Sequence, residues 1–209
     1  RSDYPIWLRH KITTVNNPIF HQPRNVDLSS RTILAIGRLA TQKRFDLLIQ
    51  AFAIVIKDWP DWHLKIIGEG HLKTTLSNLI AELGIASSVT IIPPTRSLEQ
   101  HYETSSIFAV SSQWEGFPNA LAEAVSYGML AVGFNQTAGV NKLIANKKNG
   151  VLAFGTPSKE TLAEAFTTLL KRHKEWPIMS AHSKNISKTF SSRNWRSQWR
   201  QVLDARSGY

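Results

Sequence analysis

Cysteine is absent from all 209 residues, which excludes a disulfide framework and any thiolate metal site. A chain without disulfides suits a reducing compartment, so a cytoplasmic setting is the expectation. No run approaches the roughly 20 consecutive apolar residues that a membrane-spanning helix needs, and no charged start with an apolar core resembles a secretion signal. Methionine is scarce, and none stands first. The chain opens on Arg1 and its first buried-strand pattern arrives only near Thr32, so we expect a piece of a longer protein. Asp-x-Asp pairs are also missing: Asp58 and Asp61 flank Trp59-Pro60, and the seven histidines show no ligand-like pairing. No metal site is expected.

What is present is enough for one domain with a substantial core, since 42% of the residues are hydrophobic. The net charge is +10, and residues 171–209 supply +7 of it, with nine Lys or Arg against Glu175 and Asp204. Such asymmetry fits an anionic membrane surface, nucleic acid or a phosphate-bearing substrate, and equally a solvated face on terminal helices. No aromatic-interleaved basic motif of a known nucleic-acid-binding type occurs, and no nucleic-acid partner is expected.

From residue 32 to about 154, short apolar runs alternate with longer amphipathic stretches, the pattern of parallel βαβ units. The expected class is α/β, a Rossmann-like three-layer domain with about six parallel strands: Thr32–Ile36, His63–Ile67, Val89–Ile92, Ile107–Val110, Leu130–Phe134 and Gly150–Ala153. Helices are expected at about Phe45–Lys57, Leu72–Leu83, Leu98–Thr104, Asn119–Tyr127 and Val140–Ile144. The pattern then becomes helical throughout: Ser158–His173, Pro177–Thr189 and Ser192–Ala205, the last with an apolar stripe of Trp195, Trp199, Val202 and Leu203 and a cap at Ser191 or Ser192. Residues 1–24, with Pro5, Trp7, Pro18 and Pro23, read as an irregular lead-in, 25–190 as the domain, and 191–209 as a terminal helix. In doubly wound sheets ligands bind beyond the carboxyl ends of the strands, which directs attention to 37–44, 68–71, 93–97, 111–119 and 135–140.

In the first of these segments Gly37 follows a strand, and Arg38 and Lys43 stand near the start of the next helix. Two cations beside helix-start amides suit a diphosphate, with arginine bonding phosphate bidentately and lysine acting as a point charge. Exposed cations after a strand are also ordinary. Segment 111–123 reads Ser-Ser-Gln-Trp-Glu-Gly-Phe-Pro-Asn-Ala-Leu-Ala-Glu. It sets Glu115 in a loop and Glu123 about one turn into a helix, with Pro118 in the first turn, where a missing amide hydrogen costs nothing. The amides of Asn119 and Ala120 then point outward toward a phosphate or a sugar oxygen. Carboxylates accept hydrogen bonds from paired hydroxyls such as those of ribose or a hexose. Spacing alone also allows Glu115 as a loop charge and Glu123 as a surface helix residue.

Taken together, Gly37-Arg-Leu-(x)3-Lys43, Ile67-Gly-Glu-Gly70, Ser112-x-x-Glu115-Gly-Phe-Pro-Asn, the Glu115-x7-Glu123 pair and Asn149-Gly-Val-Leu152 resemble, in order and spacing, the C-terminal domain of family 4 glycosyltransferases. The resemblance covers about residues 30 to 205. It implies the C-terminal half of a GT-B enzyme, a retaining and metal-independent transferase whose donor is a nucleotide-diphosphate sugar, with UDP favoured. It needs no further cofactor. By the same resemblance, Arg38 and Lys43 hold the diphosphate, Glu115 contacts the donor sugar, and Gly116, Phe117, Pro118, Asn119 and Ala120 surround sugar and phosphate. Glu123 takes the ribose hydroxyls, and Pro93-Pro94-Thr95 border the base.

The resemblance further implies a partner domain on the amino-terminal side that binds the acceptor, and a last helix that crosses back to it. It places the basic residues of that helix near an anionic membrane, with the enzyme peripheral at the cytoplasmic face. A fragment holding only the donor half is expected to bind donor and to turn over little or nothing. Two departures stand out. Pro94 replaces a customary glycine and removes an amide donor, and Lys142 replaces a customary glutamate at a helix start, where an anion is favoured. A nucleotide-sugar epimerase or a phosphorylase-like enzyme uses the same half-fold, so both remain alternatives to sugar transfer.

Overall fold

The structure, a computed structural model, describes residues 5–9, 12–19 and 25–204. Six strands, β1 (Thr32–Ile36), β2 (His63–Ile67), β3 (Val89–Ile92), β4 (Ile107–Val110), β5 (Leu130–Phe134) and β6 (Gly150–Ala153), form one parallel sheet in the order β3-β2-β1-β4-β5-β6. Each strand alternates its apolar side chains between two cores. Ile33 and Ala35 of β1 enter one core, with Ile107 and Ala109 of β4 and Leu130 and Val132 of β5. Leu34, Phe108 and Ala131 enter the other. Apolar residues on both faces are what a parallel sheet covered on both sides requires, and this explains why the strands read as nearly continuous hydrophobic runs.

The described helices are α1 (Ile6–Arg9), α2 (Phe45–Val55), α3 (Lys73–Glu82), α4 (Glu99–Glu103), α5 (Asn119–Tyr127), α6 (Lys159–Lys171), α7 (Trp176–Thr189) and α8 (Ser192–Asp204). The first core is closed by Phe45, Leu48, Ile49 and Phe52 of α2, Leu76 and Ile80 of α3, and Leu162 and Phe166 of α6. The second is closed by Tyr102 of α4 and by Leu121 and Val125 of α5, with α7 packed on α5. The Ser158 hydroxyl accepts from the Thr161 amide at 3.2 Å, a capping box that fixes the start of α6.

Two expectations need correction. Val140–Ile144 is not a helix but a set of turns. Its apolar residues Val140, Leu143 and Ile144 are wholly buried, so the apolar run reflects packing. Asn149 ends any helical continuation: its side-chain Nδ2 donates to the Leu143 carbonyl at 2.9 Å, and its side-chain oxygen accepts from the Ala145 amide at 2.7 Å. Pro118 is the N-cap of α5, with ψ 90°, and not a first-turn residue, while the helix begins at Asn119 as expected.

At the carboxyl end, Ser191 is the cap of α8, accepting from the Asn194 amide at 3.3 Å. The amide of Ile19 donates to the Phe190 carbonyl at 2.8 Å, so the incoming chain and the start of α8 lie together. Trp195 meets Trp199 edge-on at 6.4 Å, while Trp199 and Leu203 are 42% and 58% exposed. Pro23, Ala205 and Arg206 lie outside the described residues. Among the described residues, no helix is long and apolar enough to cross a membrane.

The chain runs outward from β1 through β2 to β3, then returns so that β4 lies against the other side of β1, with Ile33 opposite Ile107 and Leu34 opposite Phe108. That reversal is the switch point where doubly wound sheets open a crevice.

Candidate functional site

The loops leaving β1 and β4 emerge side by side at the switch point and are tied to each other. A 3-10 turn at Thr41–Lys43 brings the Lys43 carbonyl within 2.7 Å of the Ser111 hydroxyl, which donates to it. The Gln113 amide donates to the Gln42 carbonyl at 2.9 Å, and the Gln42 side chain donates to the Trp114 carbonyl at 2.9 Å. Across this seam, Lys43 Nζ lies 2.6 Å from Glu115 Oε1, and the Ser112 hydroxyl donates to the same oxygen at 2.7 Å. The two charged side chains are only 21% and 11% exposed. At that depth water screens them weakly, and a charged hydrogen bond is stronger than on the open surface.

Each loop is also supported from behind. The Gly37 amide donates to the Ile67 carbonyl at 3.0 Å and the Leu39 amide to the Glu69 carbonyl at 2.7 Å. This close approach needs a glycine, because a Cβ at Gly68 would lie 1.9 Å from the Gly37 carbonyl oxygen. The Gly68-Glu-Gly70 segment is thus a backing for the Arg38 loop. Behind the second loop, a Cβ at Gly139 would lie 2.7 Å from the Gly116 oxygen, and the Thr137 hydroxyl donates to the Ser112 carbonyl at 2.9 Å. Arg44 sits in the left-handed region at φ 49°, and its guanidinium is held by Asp46 at 3.0 Å.

The expected site residues fall into three adjoining cavities. A cleft of about 430 Å³ gathers Arg38, Lys43, Glu115, Phe117, Asn119 and Ala120, with Gly37 and Pro118 also at its wall. Arg38 is exposed there, and the first-turn amides of α5, which have no intrahelical acceptor, open at the same place. The positive end of the α5 dipole adds to the two cations. Gly116 borders open space. A second cavity of about 230 Å³ shares Gly37 and Arg38 with the cleft and continues to Pro94, Thr95 and Leu98. The Thr95 hydroxyl accepts from the Ser97 amide at 3.1 Å, bracing a loop in which Pro94 has no amide to give.

Glu123 faces a third cavity, of about 370 Å³, which shares Phe117 and Asn119 with the cleft and is walled by Asn17 and Trp195. The Asn17 side-chain Nδ2 donates to Asn119 Oδ1 at 3.0 Å. The Tyr102 hydroxyl donates to Glu123 Oε2 at 2.8 Å. Burial, and next the charge of Glu123, push the Tyr102 phenol far above its ordinary range, so it stays a donor. Sequence reasoning missed Tyr102, Gln42 and the role of Ser112 as a second donor to Glu115. Nothing local marks Tyr102, whose partner lies 21 residues on.

A larger cavity of about 610 Å³ lies at the opposite end of the sheet, around Trp59, Trp62 and Trp176. It contains none of the expected site residues and is remote from the switch point. Lys142 is exposed on the turn after β5. Among the described residues, no three His, Asp or Glu side chains gather as metal ligands do.

Residues 16–186 match the family described as glycosyl transferases group 1. The chain belongs to that family. As a group 1 domain of GT-B type, it is 33% identical over 196 residues to an uncharacterised glycosyltransferase of Haemophilus influenzae, across 93% of this chain and 55% of the relative. The chain therefore spans about half that relative's length. The pneumococcal O-GlcNAc transferase GtfA, crystallised with UDP and GlcNAc, superposes with a TM-score of 0.80 at 22% identity, over 96% of this chain and 41% of that one. The C-terminal domain of a group 1 glycosyl transferase family protein (LpcC) from Francisella tularensis superposes with a TM-score of 0.68 at 19% identity, over 84% of this chain and 95% of that domain. At these identities the superpositions establish the shared fold, a Rossmann-like parallel sheet.

Proposed function

We propose that this domain is the donor-binding, C-terminal half of a retaining, metal-independent family 4 glycosyltransferase. The observation that carries this reading is the meeting of Arg38, Lys43 and Glu115 with the start of α5 in one cleft at the switch point. The diphosphate lies between the two cations and the helix amides. The base enters the adjoining cavity at Pro94 and Thr95, the ribose lies toward Glu123, and the sugar lies by Glu115 and the 116–120 backbone. UDP is the favoured nucleotide, in keeping with its presence in the pneumococcal neighbour.

In the transfer, the bond between the anomeric carbon and the β-phosphate oxygen breaks and its electron pair stays on the diphosphate. Arg38 and Lys43 then interact more strongly with the leaving group than with the intact donor, which is the differential binding that lowers a barrier. Those two charges supply the neutralisation that a metal ion gives other transferases. The acceptor hydroxyl of a glycan or a lipid-linked sugar bonds the carbon on the face the nucleotide leaves, and its proton passes to the departing β-phosphate oxygen. A hexose or an N-acetylhexosamine is the group moved, in polysaccharide assembly.

The acceptor-binding domain is proposed to meet α8, whose Trp199 and Leu203 are open. The exposed arginines Arg193, Arg196 and Arg200 beside them are proposed to approach an anionic membrane at its cytoplasmic face, which co-sedimentation with anionic vesicles checks. Calorimetric titration with UDP-sugars and GDP-sugars tests the donor reading: binding of a UDP-sugar with no turnover by the isolated domain is expected. No binding of any nucleotide at millimolar concentration would sink it.

A further inference from the structure

We infer that Tyr102 is a positioning residue for donor recognition, holding the Glu123 carboxylate in the orientation that receives the ribose hydroxyls. The inference rests on the donor reading above. Glu123 is the fifth residue of α5, on a flexible stem, and a carboxylate so placed has several rotamers. A partner that fixes one oxygen fixes the plane of the group, and with it the directions in which its lone pairs accept. Tyr102 is built for that task. It is 1% exposed, and its ring is clamped by Tyr127 at 5.1 Å and Phe108 at 6.3 Å. Its hydroxyl, 2.8 Å from Glu123 Oε2, therefore has little freedom to move.

The placement of Tyr102 also links two walls of the site. The Tyr102 amide donates to the Leu98 carbonyl at 3.1 Å, and Leu98 lines the cavity proposed for the base. Glu123 lines a different cavity, whose Phe117 and Asn119 also belong to the cleft. A single buried phenol thus joins the α4 wall beside the base to the α5 wall beside the phosphates. Burial, and next the charge of Glu123, raise the phenol above its ordinary range, so it is protonated and a donor to Glu123 at neutral pH. The hydroxyl contributes to recognition by orienting an acceptor, without touching the ligand.

The test is a titration of wild type and Tyr102→Phe with UDP, 2′-deoxy-UDP and 3′-deoxy-UDP, with melting temperatures measured alongside. Phenylalanine keeps the ring packing and removes only the donor. Tyr102→Phe is expected to weaken UDP by about tenfold, the loss that follows removal of one charge-assisted hydrogen bond. It should leave the affinity of at least one deoxy analogue as in wild type, because that ligand no longer uses the oriented oxygen. Glu123→Gln should abolish the same discrimination. Equal weakening of all three nucleotides would show a merely structural tyrosine and overturn the inference, as would unchanged UDP affinity. Failure of wild type to bind UDP would instead overturn the donor reading, and this inference with it.

Discussion

Lys43 and Glu115 lie 72 residues apart in sequence and 2.6 Å apart in space, joined across the seam between β1 and β4. Each is already satisfied before any ligand arrives, and Ser112 shares the same carboxylate oxygen. On the proposed donor reading, an anionic donor draws Lys43 partly away from Glu115 and leaves the carboxylate available to a sugar hydroxyl. Paired in this way, each charge has a partner despite its burial.

Removing either cation tests the diphosphate site. Arg38→Ala and Lys43→Ala should each weaken UDP-sugar binding by about 1–3 kcal/mol, the range for a hydrogen bond to a charged group. Calorimetry measures it, and the two losses should combine non-additively, since both cations line the one cleft proposed for the diphosphate.

Glu115→Gln should separate nucleotide binding from sugar handling. Lys43 loses its competing carboxylate, so UDP without a sugar should bind more tightly than to wild type. Transfer by the full-length enzyme should fall, because the sugar loses its acceptor. Leaving the Lys43 charge without its partner should also lower thermal stability, by about 1–2 kcal/mol given its residual exposure.

Two glycines should fail in different ways. Gly68→Ala sets a Cβ 1.9 Å from a backbone oxygen, where nothing flexible can yield, and should destabilise the fold by several times RT, about 2 kcal/mol or more. Gly37→Ala sets its Cβ 3.0 Å from Lys43 Cε, which can swing aside. That variant should melt near wild type yet bind UDP more weakly. Thermal melts and nucleotide titration on both variants check the contrast.

His101 makes stability pH-dependent. Burial, and next the charge of Lys65, lower its pKa from the ordinary 6.5, so the unfolded chain binds the proton more readily than the folded one. Its contribution is fully present above that ordinary value and is lost as pH falls through the lowered one. Melting temperature measured from neutral to mildly acidic pH should fall more steeply for wild type than for His101→Gln. Equal slopes would assign the acid sensitivity to other groups.

The strands β4, β5 and β6 were legible because each is buried along its whole length and so is written almost wholly in apolar residues, while β2 and β3 kept enough apolar positions beside His63, Lys65 and Thr90 to be read. Helix ends were legible where a side chain caps them, as Ser158 does for α6 and Ser191 for α8. Val140–Ile144 misled because complete burial gives a short turn the same apolar spelling as a helix. The residues proposed for the diphosphate, and Glu123 itself, could be named from their motifs, yet Tyr102 on the Glu123 oxygen had no sequence signal.

The sequence by itself determined the α/β class, the parallel strands and the family, since alternating periodicities and ordered motifs are properties of the chain read in one direction. Only the tertiary structure decided that the loops after β1 and β4 meet. Strand order is set by which crossovers bury the most apolar surface, so it depends on contacts between residues far apart in sequence. Two isolated charges, Lys43 and Glu115, become one site because the sheet reverses its order between them.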